Sequence, residues 1–262
     1  LKAGDYVVDI GSNDSTLLRS YLTPGLNTVG FEPSRNLIPY GEPGITKVIN
    51  DFFNARAWER EFPGKKAEVI TAIAMFYDLD DPNAFVADVG RVLHDGGLFV
   101  VQQAYLPYIL LKNIIDNTVH EHLEYHSLMS MRALLKRHNM EVFDVELNDV
   151  NAGSFRTYVR KIGGGGGICV KGGADERLKE ATRWEEELGV DKEQTYKKFA
   201  ERVEKIKKQL VDFVKEELKT GKKIYVYGAS TKGNTLLQYF GLDNSQIVAA
   251  AERNKDKWGK MT

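Results

Sequence analysis

A doubly wound α/β sheet is the fold class this chain of 262 residues predicts, followed by a long helical segment and a partial Rossmann-like α/β domain. Three observations predict it. Near the amino terminus, Val7-Val8-Asp9-Ile10 runs into Gly11-Ser12-Asn13-Asp14 and then an amphipathic segment of Leu17, Leu18, Tyr21 and Leu22. That is the pattern of a buried strand, a tight turn and a helix. Beyond it, short apolar runs alternate with helical ones, which implies parallel strands joined by right-handed crossovers. Far downstream, Lys223 to Tyr227 and Gly228-Ala229-Ser230-Thr231-Lys232-Gly233-Asn234 repeat the strand and glycine turn ahead of a helix over Thr235 to Phe240.

In chain order, Asn27 to Glu32 reads as a second strand and Ile45 to Asn50 as a third, the latter followed by Asp51-Phe52-Phe53. Ala67 to Ile73 is a fourth strand, leading into Ala74-Met75-Phe76-Tyr77-Asp78. Asp81-Pro82 opens a helix to Leu93, because an aspartate before a proline caps a first turn. His94-Asp95-Gly96-Gly97 turns into a fifth strand, Leu98 to Gln102. A helix from Ser127 to His138 and a strand pair, Met140 to Glu146 and Phe155 to Val159, complete the sheet. The unbroken run Gly163 to Gly167, with Gly172-Gly173 behind it, reads as a connector, since glycine loses the most entropy on ordering. The predicted domains are therefore 1–162 and 175–262, with 163–174 as linker. Asp175 to Leu188 is helical, and Tyr196, Phe199, Val203, Ile206, Leu210 and Phe213 mark the buried face of a long helix. Gln246 to Ala251 is the next strand.

Composition narrows the function. Thirty-six basic against 37 acidic residues give a net charge of −1, which argues against a nucleic-acid surface. No apolar run approaches the ~20 residues of a membrane span, and no signal peptide is visible. The single cysteine, Cys169, excludes an intrachain disulfide and a cysteine-rich zinc site. A cytoplasmic enzyme is expected. The chain starts at Leu1 and stops at Thr262 soon after a strand, so both ends read as cut.

Ligands of open α/β sheets collect outside the carboxyl ends of the strands, where the turn at Gly11 lies. Glycine admits a ligand close to the backbone, and the next helix start offers amide donors. A dinucleotide fingerprint needs three spaced glycines; this turn has one, preceded by Asp9. The combination resembles motif I of class I S-adenosylmethionine (SAM)-dependent methyltransferases. By that resemblance, the amino-acid end of S-adenosyl-L-methionine lies near Asp9, Gly11 and Asn13. Glu32 can accept both hydroxyls of a ribose, a feature SAM shares with NAD. By the same resemblance, Asp51 and Phe52 would flank the adenine, although Phe52 and Phe53 equally suit a core. Met75 and Phe76 stand where motif IV would lie.

His120-Glu121-His122-Leu123-Glu124-Tyr125-His126 holds three of the five histidines. The spacing is not H-E-x-x-H, so a zinc-protease helix is excluded. His122 and His126, four apart, could still share a helical face. General base catalysis by His122 is the sharper reading, because an imidazole can take a proton at neutral pH, with Glu121 to orient it. Arg156 suits a phosphate or an ordinary strand flank. The turn at Gly228 with Lys232 suits a phosphate cradle, though not a Walker loop.

Together these stretches resemble the sugar C-methyltransferase family, which acts on nucleotide-linked keto-deoxysugars. The resemblance rests on Val8 to Asp14, Gly30-Phe31-Glu32-Pro33-Ser34, His120-Glu121-His122 with Tyr125 and Ser127, Gly153-Ser154-Phe155-Arg156, and Tyr227-Gly228-Ala229 with Lys232-Gly233-Asn234. It implies His122 as base with Glu121 beside it, and Val119 where members carry a tyrosine. It points to a nucleotide-sugar site at Gly228, Lys232 and Asn234, with Tyr125 and Arg156 as further substrate-binding candidates. The implied reaction removes the proton beside a sugar ketone, and the enolate carbon attacks the SAM methyl with no metal. Members carry a zinc module upstream and a longer last domain, which fits a fragment. The rivals are an O- or N-methyltransferase, an NAD(P)-dependent oxidoreductase and a non-catalytic nucleotide-sugar-binding protein. No nucleic-acid or membrane partner is expected, and the oligomeric state stays open.

Overall fold

The computed structural model describes residues 1–164 and 172–260; Cys169 and the later part of the glycine run lie outside them. Strands β1 (Tyr6–Ile10), β2 (Asn27–Phe31), β3 (Lys47–Ile49), β4 (Ala67–Ile73), β5 (Leu93–Ala104), β6 (Met140–Asn148) and β7 (Ser154–Lys161) form one sheet in the order β3-β2-β1-β4-β5-β7-β6. The first five run parallel, and β7 pairs antiparallel with β5 and β6. Chain order reverses between β1 and β4, which puts the ligand crevice of an open sheet at their carboxyl ends.

The connecting helices are α1 (Thr16–Arg19), α2 (Ile38–Gly41), α3 (Ala55–Glu61) and α4 (Pro82–Val92), then α5 (Leu106–Lys112) and α6 (Leu128–Arg137) beyond β5. Asp81 caps α4 by accepting from Ala84 N–H, and Ser127 caps α6 through a reciprocal pair with Ser130. Two expectations change. The segment after Gly11 makes a single helical turn: Leu18 is buried and Tyr21 packs partly buried against the same core, while Leu22 is 95% exposed. Residues 94–97 are absorbed into β5, whose pairing with β4 shifts register there.

Contacts divide the chain into two compact units, 1–106 with 123–187, and 107–122 with 188–262. Helix α7 (Ala174–Leu188) belongs, through Glu187, to the first unit. Arg177 grips buried Asp144 of β6 through Nε (2.8 Å) and Nη2 (2.5 Å). Buried Glu185 accepts from Tyr105 Oη–H (2.7 Å) and from the amides of Leu128 and Met129, the first residues of α6.

The second unit contains α8 (Glu193–Lys219), α9 (Thr231–Phe240) and a parallel pair, β8 (Ile224–Tyr227) and β9 (Ile247–Ala251). Val214, Phe240 and Leu242 form its core. Of the expected stripe on α8, Val203 is buried while Tyr196, Ile206, Leu210 and Phe213 stay exposed; Val214, outside that stripe, is the helix's other buried residue.

Candidate active site

The turn after β1 is shaped by its backbone. Gly11 takes φ +68° and donates to Phe31 O (2.9 Å); Ser12 N–H donates to the same carbonyl (3.1 Å). Asn13 and Ser15 also adopt positive φ, a costly conformation for residues with a Cβ and one that concentrates at functional sites. The turn lies flat on β2 because residue 30 is glycine: a Cβ there would sit 2.4 Å from Ser12 Oγ. The hydroxyls of Ser12 and Ser15 are buried with no hydrogen-bond partner. No anion site forms at α1, since one turn is too short and Thr16 N–H is taken by Asp14 Oδ1 (3.0 Å).

Glu32, just beyond β2, accepts from Asn13 N–H at Oε2 (2.9 Å) and from Ser34 N–H at Oε1 (2.8 Å). A carboxylate has about four acceptor positions, so roughly two remain for a diol. Beyond β3, Asp51 accepts from Phe52 N–H (2.9 Å), and the Phe52 ring is 75% exposed. Phe53 turns inward against Phe31 and Phe85. After β4, Ala74 takes φ +55°, and Met75 Cγ lies 3.5 Å from the position a Cβ on Gly11 would occupy. Phe76 is fully buried, its ring packed on Phe85 and His126.

Asp9 is buried and receives Thr71 Oγ1–H at 2.5 Å. Burial pushes its carboxyl up to about 6 against the opposing Thr71 hydrogen bond. The fold therefore holds this proton more tightly than the unfolded chain. The stability this contributes is complete below the ordinary pKa of 3.8 and is lost as pH rises through about 6. Above that, the charged form costs about 3 kcal/mol. Asp9→Asn should accordingly raise the denaturation midpoint at pH 7.5 and lose most of that advantage by pH 4.5. Equal gains at both pH values would contradict this origin.

Tyr77 O accepts from the amides of Leu123 (2.9 Å) and Glu124 (3.2 Å), fastening the start of the 123–126 segment to the loop after β4. Residues 120–126 form no helix, so His122 and His126 share no helical face. His126 is buried, and burial pushes its ring down to about 4. Its Nε2 lies 3.1 Å from Glu124 Oε2, yet the angle does not make a hydrogen bond; a neutral ring is the consistent state. Half-buried Tyr125 sits between them in sequence, also in the first unit.

His120, Glu121 and His122 belong to the second unit, where His120 and Glu121 are exposed and His122 half-buried. His122 Nδ1 lies 2.9 Å from Asn117 O. A carbonyl only accepts, so Nδ1 carries the proton and Nε2 of the neutral ring holds the basic lone pair. Among the described residues, no three of His, Cys, Asp or Glu converge to hold a metal ion.

Two anion sites expected from sequence are altered. Arg156 is already engaged, through Nε to Gln102 Oε1 (2.9 Å) and Nη1 to Glu146 Oε2 (3.4 Å), so its charge is balanced on the sheet. At the turn after β8, Ala229 N–H goes to Glu252 Oε2 (2.7 Å) and Gly233 N–H to Ser230 Oγ (3.0 Å). The protein's own groups fill that cradle, and Lys232 and Asn234 fall inside the first turn of α9, not in the loop before it. Sequence reasoning missed Thr71, Glu185, Asp144 and Glu252; only Glu252, an acid at a strand end, left a signal it could have used.

A seven-stranded sheet with an antiparallel last hairpin, a glycine turn after β1 and an acid just beyond β2 define a class I methyltransferase fold. Comparisons agree with it. Residues 1–145 match the family described as methyltransferase domain, and residues 149–262 match the family described as C-methyltransferase C-terminal domain. The chain belongs to the methyltransferase-domain family. C-methyltransferase NovU of Streptomyces niveus is 31% identical over 267 residues, spanning 100% of this chain and 61% of its own length. This chain thus covers about three fifths of that relative. In the solved complex of the Haloferax volcanii Trm112 methyltransferase activator with a methyltransferase, a chain superposes with TM-score 0.51 at 14% identity, covering 62% of this chain and 84% of that one. It shares the fold. The cofactor of this class is S-adenosyl-L-methionine, and the residues fit it: Glu32 retains room for a ribose diol, Phe52 offers an open ring face, and the Ser12 and Ser15 hydroxyls lack partners. No helix among the described residues is long and apolar enough to cross a membrane.

Proposed function

We propose that this chain is the methyltransferase part of a C-methyltransferase acting on a nucleotide-linked keto-deoxysugar. The observation that carries the reading is the tautomer of His122: with Nδ1–H given to Asn117 O, the ring can accept a proton only at Nε2. The match of the carboxy-terminal half to a C-methyltransferase domain supports carbon as the acceptor. S-adenosyl-L-methionine, when bound, supplies an electrophilic methyl group. Asp9, Gly11, Asn13 and Glu32 would hold it, with Asp51, Phe52 and Met75 around the adenosine. His122 Nε2 takes the proton from the carbon next to the sugar ketone, whose acidity comes from spreading the negative charge onto oxygen. Positioned proton transfer of this kind supplies ~10²–10⁴-fold. Glu121 neighbours the imidazole in sequence.

Exchange at carbon tests the reading. Incubated in D₂O with a keto-deoxy nucleotide sugar and no cofactor, the protein should exchange one hydrogen adjacent to the ketone, read by mass spectrometry. An O- or N-methyltransferase needs no such exchange, and methylation without it would overturn carbon as the acceptor.

A further inference from the structure

We propose that Arg202 of α8 is a positioning residue for the imidazole of His122, acting through the end of α5 and the turn that follows it. Arg202, Leu110, Asn113, Asn117 and His122 all belong to the second unit. Helix α5 ends in a Schellman-type arrangement: Asn113 takes φ +56°, which asparagine tolerates better than most residues, and Ile114 N–H turns back to Ile109 O (3.0 Å). Leu110 and Ile114 are buried, so the last carbonyls of the helix need donors from the protein. Arg202 supplies one: its Nη2 donates to Leu110 O, and its Nε donates to Asn113 Oδ1 (2.9 Å). Both acceptors are neutral, and a cation at a helix carboxyl terminus also meets the negative end of the backbone dipole. The rigid guanidinium fork reaches a backbone carbonyl and a side chain at once, which the single ammonium of a lysine does not reproduce.

From that fixed end a short run of hydrogen bonds leads to the imidazole. Ile115 N–H donates to Asn113 O (2.9 Å) and Asn117 N–H to Ile114 O (3.4 Å), so residues 115–117 form a tight turn on the anchored asparagine. Helix α9 lies against the same turn. Asn117 is buried, and its carbonyl receives Val119 N–H (3.1 Å) and His122 Nδ1–H (2.9 Å), which accounts for both lone pairs. His122 N–H closes the loop on Val119 O (3.2 Å). Residues 118–122 lie in no helix or strand. The direction of Asn117 O therefore sets the tautomer and plane of the ring, and Arg202 sets where that carbonyl stands. A base must lie within reach of the proton it removes, and a misplacement of about 1 Å costs ~10²-fold.

The effect on rate rests on the proton-removing role of His122 given above; the placement of the ring does not, and is read separately. In the 262-residue chain labelled with nitrogen-15 histidine, the protonated and lone-pair nitrogens of a neutral imidazole resonate far apart. The His122 signals are assigned by their absence in His122→Asn. Wild type should show the Nδ1–H form; an Nε2–H form there overturns the proposal. Arg202→Met, which keeps an apolar stem and removes every donor, should show a mixture of the two forms. Its deuterium exchange of the keto-deoxy nucleotide sugar should slow by about 10–10²-fold, with SAM affinity within about twofold of wild type. Arg202→Lys should fall between. Asn113→Gly removes the side-chain acceptor while suiting the positive φ, so it should move both readouts the same way by less; it carries the test on the same terms if Arg202→Met does not fold. A folded Arg202→Met with His122 wholly in the wild-type form overturns the proposal. A shifted tautomer with exchange unchanged, or absent from wild type as well, supports the positioning and overturns His122 as the base instead.

Discussion

His122→Asn is expected to lower turnover by ~10²–10⁴-fold while SAM affinity stays within about twofold of wild type. Asparagine is the informative replacement because its amide N–H can still donate to the Asn117 carbonyl that receives His122 Nδ1–H. The loop is thus kept and only the basic lone pair is removed. The loss should appear in kcat and in the rate of deuterium exchange together, since both pass through the same proton removal. Exchange at the wild-type rate in the variant would assign the base elsewhere. Buried His126 is the natural second variant: with its ring held near a pKa of 4 by burial, it is a poor proton acceptor at neutral pH, and His126→Phe should retain exchange.

Glu185→Ala is expected to destabilise the first unit by about 3 kcal/mol or more. Removing the carboxylate orphans Tyr105 Oη–H and the amides of Leu128 and Met129, and each buried unsatisfied donor costs ~1–3 kcal/mol. The site also matters because of where it acts. Leu128 and Met129 begin α6, directly after the 123–126 segment tied to the loop beyond β4. Two measurements distinguish this from a general loss of helix: the urea midpoint should fall, and the amides of residues 128 and 129 should exchange faster than those in the middle of α6. Glu185→Gln, which keeps one acceptor oxygen, should lie between wild type and alanine. A midpoint for Glu185→Ala within about 0.5 kcal/mol of wild type would refute the pinning of α7.

Local pattern was enough to set out the sheet. The bounds of β4 are those its apolar run predicts, α4 starts at the proline after its capping aspartate, and α6 follows Ser127, because strand burial and caps depend on neighbours in sequence. The motif at Asp9 to Asn13 and the acid at Glu32 were legible for the same reason, since a tight turn between two strands needs a particular residue at each step. What failed was length and pairing. Leu17 and Leu22 fit a helical face, yet the chain leaves the helix after Arg19, and no local signal says which apolar residues the core will accept.

Sequence by itself determined the class of fold, the position of the glycine turn after the first strand and the segment that carries the histidines. Tertiary structure alone decided which charges are spent inside the protein. Glu185 lies in a run of three glutamates that reads as a solvated helix face, but α7 turns it onto the start of α6; Arg156, a candidate for phosphate, meets Glu146, and the Ala229 amide in the turn at Gly228 meets Glu252. The reason is physical: whether a charged group is free for a ligand depends on the partners that folding brings within about 3 Å of it, and those partners are distant along the chain.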